Sequence, residues 1–221
     1  MTTSFVDAFA VASYGDPVHR MRRVIPAVGC AVSAHALVDR DVLLWVQRSA
    51  TTVLVLDDTG LDLVQSVSVR PNQVVFRAGD CPDSIRRAVH HGITRFIVGR
   101  QEHVDHLVEY ARRTTFVHLA PGLPTVVPAR RIVVVGLHGD IDACGTPTEW
   151  ADAAEHALCR TAQAKTLGTP AHRIVLSRSA GAVVPLSIDR LDSIVHAVDE
   201  ALRQGCSRWR LARPAVTIAV L

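Results

Sequence analysis

The chain has 221 residues, of which 48% are hydrophobic and 20% are charged, with a formal net charge of +3 and a mean hydropathy of +0.22. Such a chain can bury a substantial core, which argues against a disordered protein. The positive charge is mild and scattered, so we expect no nucleic-acid binding. The longest apolar runs fall far short of the ~20 residues of a membrane helix, so we expect no membrane insertion either.

The five cysteines are odd in number and show neither a C-x-x-C pair nor a spacing typical of metal ligands. We therefore expect the cysteines to be reduced thiols, which are typical of cytoplasmic proteins. The first residues also lack the basic and apolar regions of a secretory leader. We therefore expect a cytoplasmic protein.

Short apolar runs alternate with amphipathic stretches along the chain. The predicted strands, rich in Val and Ile, span 23–30, 53–57, 74–77, 95–98, 115–120, 131–137, 173–177 and 208–212. The predicted helices span 33–49, 60–68, 82–91, 101–113, 147–167 and 188–204. Strands that are apolar on both faces are typical of a parallel sheet covered by helices. Eight such strands predict a single (β/α)8 TIM barrel of the α/β class, with an open doubly wound sheet as the alternative.

No linker or low-complexity segment divides the chain. We predict an N-terminal helix or extension over 1–22, the barrel over 23–213 and an apolar, strand-like tail over 214–221. An apolar strand outside the barrel would need something to pair with. The tail therefore predicts a homodimer, or a different partner chain bound by strand addition.

Four segments, in order, are similar to segments of one enzyme family. They are 27–30 (AVGC), 63–76, 88–98 and 135–150. The first resembles an A-V-K-C strand, and the last resembles a G-F-H-V-G-S-G-C-x-x-P segment. Together they resemble the barrel of the fold-type III, pyridoxal-phosphate (PLP) dependent ornithine/diaminopimelate/arginine decarboxylases, which is alanine racemase-like. The resemblance implies a PLP-binding barrel.

The resemblance also implies where a cofactor site would lie, at the carboxyl ends of the strands. The family's Schiff-base lysine falls on Gly29, beside Cys30, and the one lysine of the chain, Lys165, lies in a predicted helix. The family's fifth-strand arginine falls on His118. The sixth-strand histidine, which lies against the cofactor ring in the family, is retained as His138.

Two further parts of the family's site differ in this chain. The glycine-rich phosphate loop falls on Ser179, Ala180 and Gly181, where one glycine remains. The glutamate that faces the pyridine nitrogen falls on Arg213. Because a lysine amine and an acid make PLP an electron sink, we expect a degenerate site and no bound cofactor. PLP is the expected cofactor if the site still functions.

These departures favour a catalytically inactive homologue, a pseudoenzyme that acts as a binding or regulatory protein. The resemblance implies that the partner of its tail, if not a second copy of the chain, is a decarboxylase-like chain. The alternative is an enzyme with a rebuilt site at the barrel mouth, which the resemblance would make a lyase or isomerase, or a protein of PLP homeostasis. Its candidate residues are His138, His118, Cys30, Asp140, Asp142 and Arg213. A metal site on the first of these and the two aspartates is a further alternative, for which the sequence offers no additional ligand.

Overall fold

Eight parallel strands close into a barrel. The structure, a computed structural model, describes residues 15–49, 51–123, 129–142, 145–169, 171–178 and 187–220. Within these ranges each strand pairs with the next in chain order, and the eighth pairs with the first. The predicted TIM barrel is confirmed, and closure excludes the open sheet.

The strands are β1 (Gly29–Ser33), β2 (Thr52–Val55), β3 (Val74–Arg77), β4 (Arg95–Val98), β5 (Thr115–Leu119), β6 (Ile132–Ile141), β7 (Arg173–Arg178) and β8 (Ala215–Ala219). The helices are α1 (Gly15–Val24), α2 (Arg40–Arg48), α3 (Asp58–Ser66), α4 (Pro82–His90), α5 (Gln101–Tyr110), α6 (Pro147–Thr166) and α7 (Ile188–Trp209). Two short 3-10 helices, Ala34–Val38 and Pro71–Gln73, precede α2 and β3. Among these helices none is both long and apolar enough to cross a membrane.

Helix α6 shows how the local sequence sets where an element begins. Pro147 lies in the first turn of α6. The missing N–H of proline costs nothing there, because the first N–H groups of a helix have no partner within the helix. The Thr146 hydroxyl accepts a hydrogen bond from the Glu149 N–H at 3.3 Å, and the Glu149 carboxylate accepts one from the Thr146 N–H. This capping box satisfies two N–H groups at once, so the predicted start of the helix at residue 147 is confirmed.

Alternate residues of each strand face either the barrel interior or the surrounding helices. One contact cluster joins the interior residues of different strands: Ala31, Leu54, Val75, Ile97, Ala120, Val175 and Ala219. The residues between them, such as Val32 and Phe76, belong to a larger core between the strands and the helices. A residue two positions from an interior residue on the same strand therefore also faces the interior.

The first strand begins later than the sequence predicts. Helix α1 continues to Val24, so the predicted boundary at residue 22 falls inside this helix. The predicted strand over 23–30 is wrong for most of its length. Pro26 has no N–H to donate to a strand ladder, and the Val28 N–H donates to the Ile25 carbonyl at 3.0 Å in a turn. The strand therefore starts at Gly29.

The tail, and not the segment 208–212, forms the eighth strand. Helix α7 continues through Trp209 and ends at Arg210, whose φ of 50° is left-handed. Strand β8 pairs with β7 on one side and with β1 on the other. The prediction of a barrel that ends at residue 213 is therefore wrong. Because both edges of β8 are bonded, the tail offers no free edge for a homodimer or a decarboxylase-like partner to join.

Gly136 offers a test of this packing. A Cβ at Gly136 on β6 would overlap the carbonyl of Arg173 on the paired strand β7. Paired backbones cannot easily move apart, so we expect Gly136→Ala to lower the free energy of unfolding by roughly 1–3 kcal/mol. Gly79→Ala is the control, because a Cβ at Gly79 meets no atom within 4 Å. Urea denaturation measures both variants, and equal stabilities would contradict the packing of β6 against β7.

Candidate functional site

The carboxyl ends of the strands form one face of the barrel, here called the mouth, which is where parallel barrels carry their chemistry. Ser33 ends β1, Arg77 ends β3 and Arg178 ends β7. Ser33 and Arg77 each lie two residues beyond an interior residue of the same strand, Ala31 and Val75. Their side chains therefore point into the barrel at the mouth.

An ion pair crosses the mouth from β3 to β6. Arg77 Nη2 lies 2.7 Å from Asp140 Oδ2, and Nη1 lies 3.3 Å from Oδ1. The two side chains are 28% and 25% exposed, so this bidentate pair is largely shielded from water and its geometry is fixed. Asp140 was among the residues predicted from the sequence, and Arg77 was not, although a charged residue at the end of an apolar strand is a signal for such a site.

His138 lies deep in the barrel beneath this ion pair. It is 1% exposed, and its Nε2 shares a hydrogen bond of 2.8 Å with the Ser177 hydroxyl on β7. Burial lowers the pKa of His138 to about 4; the Asp140 charge opposes this shift and the Arg77 charge adds to it. The imidazole is therefore neutral near neutral pH.

His118 is the neighbour of His138 in the interior. It is 4% exposed and follows a register shift on β5. Burial lowers its pKa to about 3, with smaller contributions from the charges of His138, Arg95 and Arg173. The Nδ1 atoms of both histidines have no hydrogen-bond partner among the described residues. The sequence thus identified two residues that the structure brings together, as an uncharged pair enclosed by the barrel.

The predicted Schiff-base position at Gly29 needs correction. Gly29 is the first residue of β1 and pairs in register with Thr217. It therefore lies at the amino end of the barrel, opposite the mouth. The residue that ends β1 at the mouth is Ser33, in the segment 31–34 (AVSA), which repeats the Ala-Val pattern of 27–30 (AVGC) four residues later. The pattern alone fits either segment, and only the strand's position separates them.

Cys30 does not reach the mouth. Its side chain is 6% exposed and belongs to the core between strands and helices. Burial raises the pKa of the Cys30 thiol to about 12, and the opposing effect of the Arg22 charge is smaller. A thiol that stays protonated is a poor nucleophile, so the structure does not support a catalytic role for Cys30.

Arg213 also lies away from the mouth. It precedes β8 at the amino end of the barrel and forms an ion pair with Asp199 of α7. The prediction that it faces a cofactor ring is therefore wrong. The predicted phosphate loop, Ser179, Ala180 and Gly181, lies outside the described residues.

The metal alternative is not supported by the side-chain positions. Asp140 is paired with Arg77 and His138 with Ser177, while Asp142 is exposed beyond the end of β6. Across the described ranges, no three His, Cys, Asp or Glu side chains come close enough together to hold a metal ion.

A second polar group lies on the β1–β2 side of the mouth. His35 Nε2 donates to Asp57 Oδ2 at 3.0 Å, and the Ser33 hydroxyl accepts from the His35 N–H at 3.3 Å. Asp57 also caps α3 by accepting from the Gly60 N–H at 2.7 Å. Burial alone would raise the pKa of Asp57, but the hydrogen bonds from Gly60 and His35 lower it below its usual range. Asp57 therefore remains ionised.

The same fold occurs in solved structures of amino-acid decarboxylases. The arginine decarboxylase of Paramecium bursaria Chlorella virus aligns with a TM-score of 0.69 and 12% identity, over 92% of this chain and 60% of its own. The lysine decarboxylase of Selenomonas ruminantium aligns with a TM-score of 0.70 and 13% identity, over 93% of this chain and 58% of its own. SrLDC in complex with PLP and cadaverine aligns with a TM-score of 0.69 and 13% identity, over 93% and 57%.

This chain has the fold of their barrel domain. It spans about 60% of the length of these decarboxylases. No family model and no curated protein matches the sequence. At 12–13% identity this likeness shows the fold, so it confirms the predicted resemblance as far as the fold is concerned. Function has to be argued from the side chains.

The cysteines allow a direct test of the environment of β1. We expect iodoacetamide to label Cys81 readily in the native protein, because it is exposed and hydrogen bonds from Ser84 lower the pKa of its thiol. We expect Cys30 to resist labelling until the barrel unfolds. Peptide mass spectrometry measures both rates, and labelling in denaturant is the control. Native labelling of Cys30 at the rate of Cys81 would contradict this placement.

The buried histidines predict a loss of stability in mild acid. Their folded-state pKa values lie below the ordinary 6.5, so below pH 6.5 the unfolded chain binds more protons than the folded one. Stability is therefore full above pH 6.5 and falls as the pH drops towards about 4. At about pH 5 the loss is on the order of 2 kcal/mol for each histidine.

Denaturant titrations across this pH range test the effect. His118→Gln and His138→Gln should each flatten the dependence of the unfolding free energy on pH. The control is His19→Gln, which changes an exposed histidine of α1. A slope in the two buried variants equal to that of the unchanged protein would show that these histidines do not titrate as described.

Proposed function

We propose that this chain is a catalytically inactive relative of the PLP-dependent decarboxylases that acts as a binding or regulatory protein. The observation that carries the proposal is the absence of an amine where the chemistry would need one. Ser33, whose hydroxyl cannot form an imine, ends β1 at the mouth. The only lysine of the 221 residues is Lys165.

Lys165 lies too far from the mouth to substitute. It is in the last turn of α6, which starts after β6 at the mouth and returns to the amino end of the barrel before β7. Its ammonium donates to the Arg210 carbonyl at 3.3 Å, beyond the end of α7. An amine at that end of the barrel cannot hold a cofactor at the other.

The residues that the structure describes at the mouth do not fit PLP. In the family the sixth-strand histidine lies against the cofactor ring, but here His138 is 1% exposed and bonded to Ser177. The Arg77–Asp140 pair lies above it, so the guanidinium that could bind a phosphate is already bonded to a carboxylate. No catalytic step through PLP follows from these residues.

What the mouth retains is a set of fixed polar groups suited to recognition. The Arg77–Asp140 pair joins β3 to β6, and the His35–Asp57 pair lies beside β1. Charged groups held by strand ends can orient a polar ligand or protein surface without reacting with it. These groups support a role in binding.

Reductive trapping tests the proposal. Borohydride converts any imine between PLP and an amine into a stable bond, which peptide mass spectrometry locates. We expect no adduct on a residue of the mouth, and at most weak labelling of Lys165 and the chain's α-amine. Retention of PLP through dialysis together with turnover of lysine, ornithine or arginine would overturn the proposal.

A matched variant makes the result unambiguous. Lys165→Arg keeps the positive charge at the end of α6 and removes the only side-chain amine that can form an imine. Its side-chain labelling should vanish while its thermal stability stays unchanged. The opposite result would be a stoichiometric PLP adduct and amino-acid turnover in the unchanged protein, both of which Lys165→Arg abolishes. Lys165 would then be the Schiff-base residue.

A further inference from the structure

Two arginines enter the barrel at its amino end, opposite the mouth. Arg95 is the first residue of β4 and Arg173 is the first residue of β7. Each lies two residues before an interior residue of the same strand, Ile97 and Val175. Because side chains alternate along a strand, both arginine side chains face the barrel interior.

Neither arginine has a counter-charge within the part of the chain that the structure describes. No carboxylate forms an ion pair with Arg95 or Arg173. Arg95 is half-buried, and its Nε is buried without a hydrogen-bond partner. Burial lowers the pKa of Arg95, and the charge of Arg173 lowers it further. Buried charges in proteins are normally paired, so this arrangement is incomplete as it stands.

The next layer of the interior adds a further unsatisfied polar group. His118 lies above the arginines, is 4% exposed, and has no hydrogen-bond partner for its Nδ1 among the described residues. The charges of both Arg95 and Arg173 act on it. Arg95 on β4, His118 on β5 and Arg173 on β7 therefore lie near one another, and none of the three is a carboxylate.

Gly29 contributes to the same end of the barrel. Thr217 on β8 lies two residues before the interior residue Ala219. A Cβ at Gly29 would lie 2.8 Å from the Thr217 hydroxyl oxygen. The glycine thus leaves room for this hydroxyl in the layer that holds the two arginines.

We infer that the amino end of the barrel binds a small oxyanion, such as phosphate or a carboxylate, between Arg95 and Arg173. Guanidinium groups bind such anions through paired, charge-assisted hydrogen bonds. The ligand must be small, because Arg95 is half-buried in a barrel filled with side chains. It reaches the site from the side of Arg173, which is exposed. This site is separate from the mouth, so it does not depend on the proposed function.

Thermal unfolding and calorimetry at constant ionic strength test the site, with phosphate, succinate and chloride as the probes. We expect phosphate or succinate to raise the melting temperature saturably, and chloride to have no such effect. The anion that binds more tightly identifies phosphate or carboxylate as the preferred class. Equal stabilisation by all three salts, or none by any, would overturn the inference.

Three substitutions locate the effect. Arg95→Gln and Arg173→Gln should each weaken anion binding by roughly tenfold or more. Arg112→Gln, which removes an exposed arginine just after α5, should bind as the unchanged protein does. Arg173 is exposed, so its variant should fold and can decide the result even if Arg95→Gln does not. Unchanged affinity in Arg173→Gln would refute the site.

Discussion

The closure of the barrel by β8 is the constraint on which the other features depend. Strand β8 hydrogen-bonds to β7 and to β1, and this fixes the height of β1 relative to the other seven strands. Gly29 is thereby placed against Thr217 at the amino end, and Ser33 is carried to the mouth. A shift of β1 by four residues would carry Gly29 to the mouth in place of Ser33, so the identity of the mouth residue is a consequence of closure.

Closure also divides the interior into layers with different polarity. The middle layer combines small and aliphatic residues with the neutral pair His118 and His138. Among the described residues, the charged groups of the interior lie towards its ends: the Arg77–Asp140 pair at the mouth, and Arg95 with Arg173 at the amino end. The distribution follows from the cost of placing an ion in the middle of a packed barrel.

The sequence was sufficient for the fold because each strand is locally apolar and each helix locally amphipathic, and these patterns do not depend on distant residues. It was insufficient where two local patterns competed. The segment 208–212 was predicted as a strand, but its first two residues are the last two of α7 and Arg210 caps that helix. The Ala-Val pattern occurs twice around β1. The Arg77–Asp140 pair joins residues 63 positions apart, so only the barrel's geometry brings it together.

The separation between fold and chemistry explains how such a barrel can persist without a lysine at its mouth. The core contacts that close the barrel involve aliphatic side chains on alternate strand positions, whereas Schiff-base chemistry depends on one amine at one strand end. A hydroxyl at a strand end, such as that of Ser33 on β1, cannot form an imine, but it leaves the core contacts unchanged. The bidentate Arg77–Asp140 pair stabilises the mouth in another way, because it links β3 directly to β6. Similarity of fold to the decarboxylases therefore carries no conclusion about chemistry, which depends on the side chains at the strand ends.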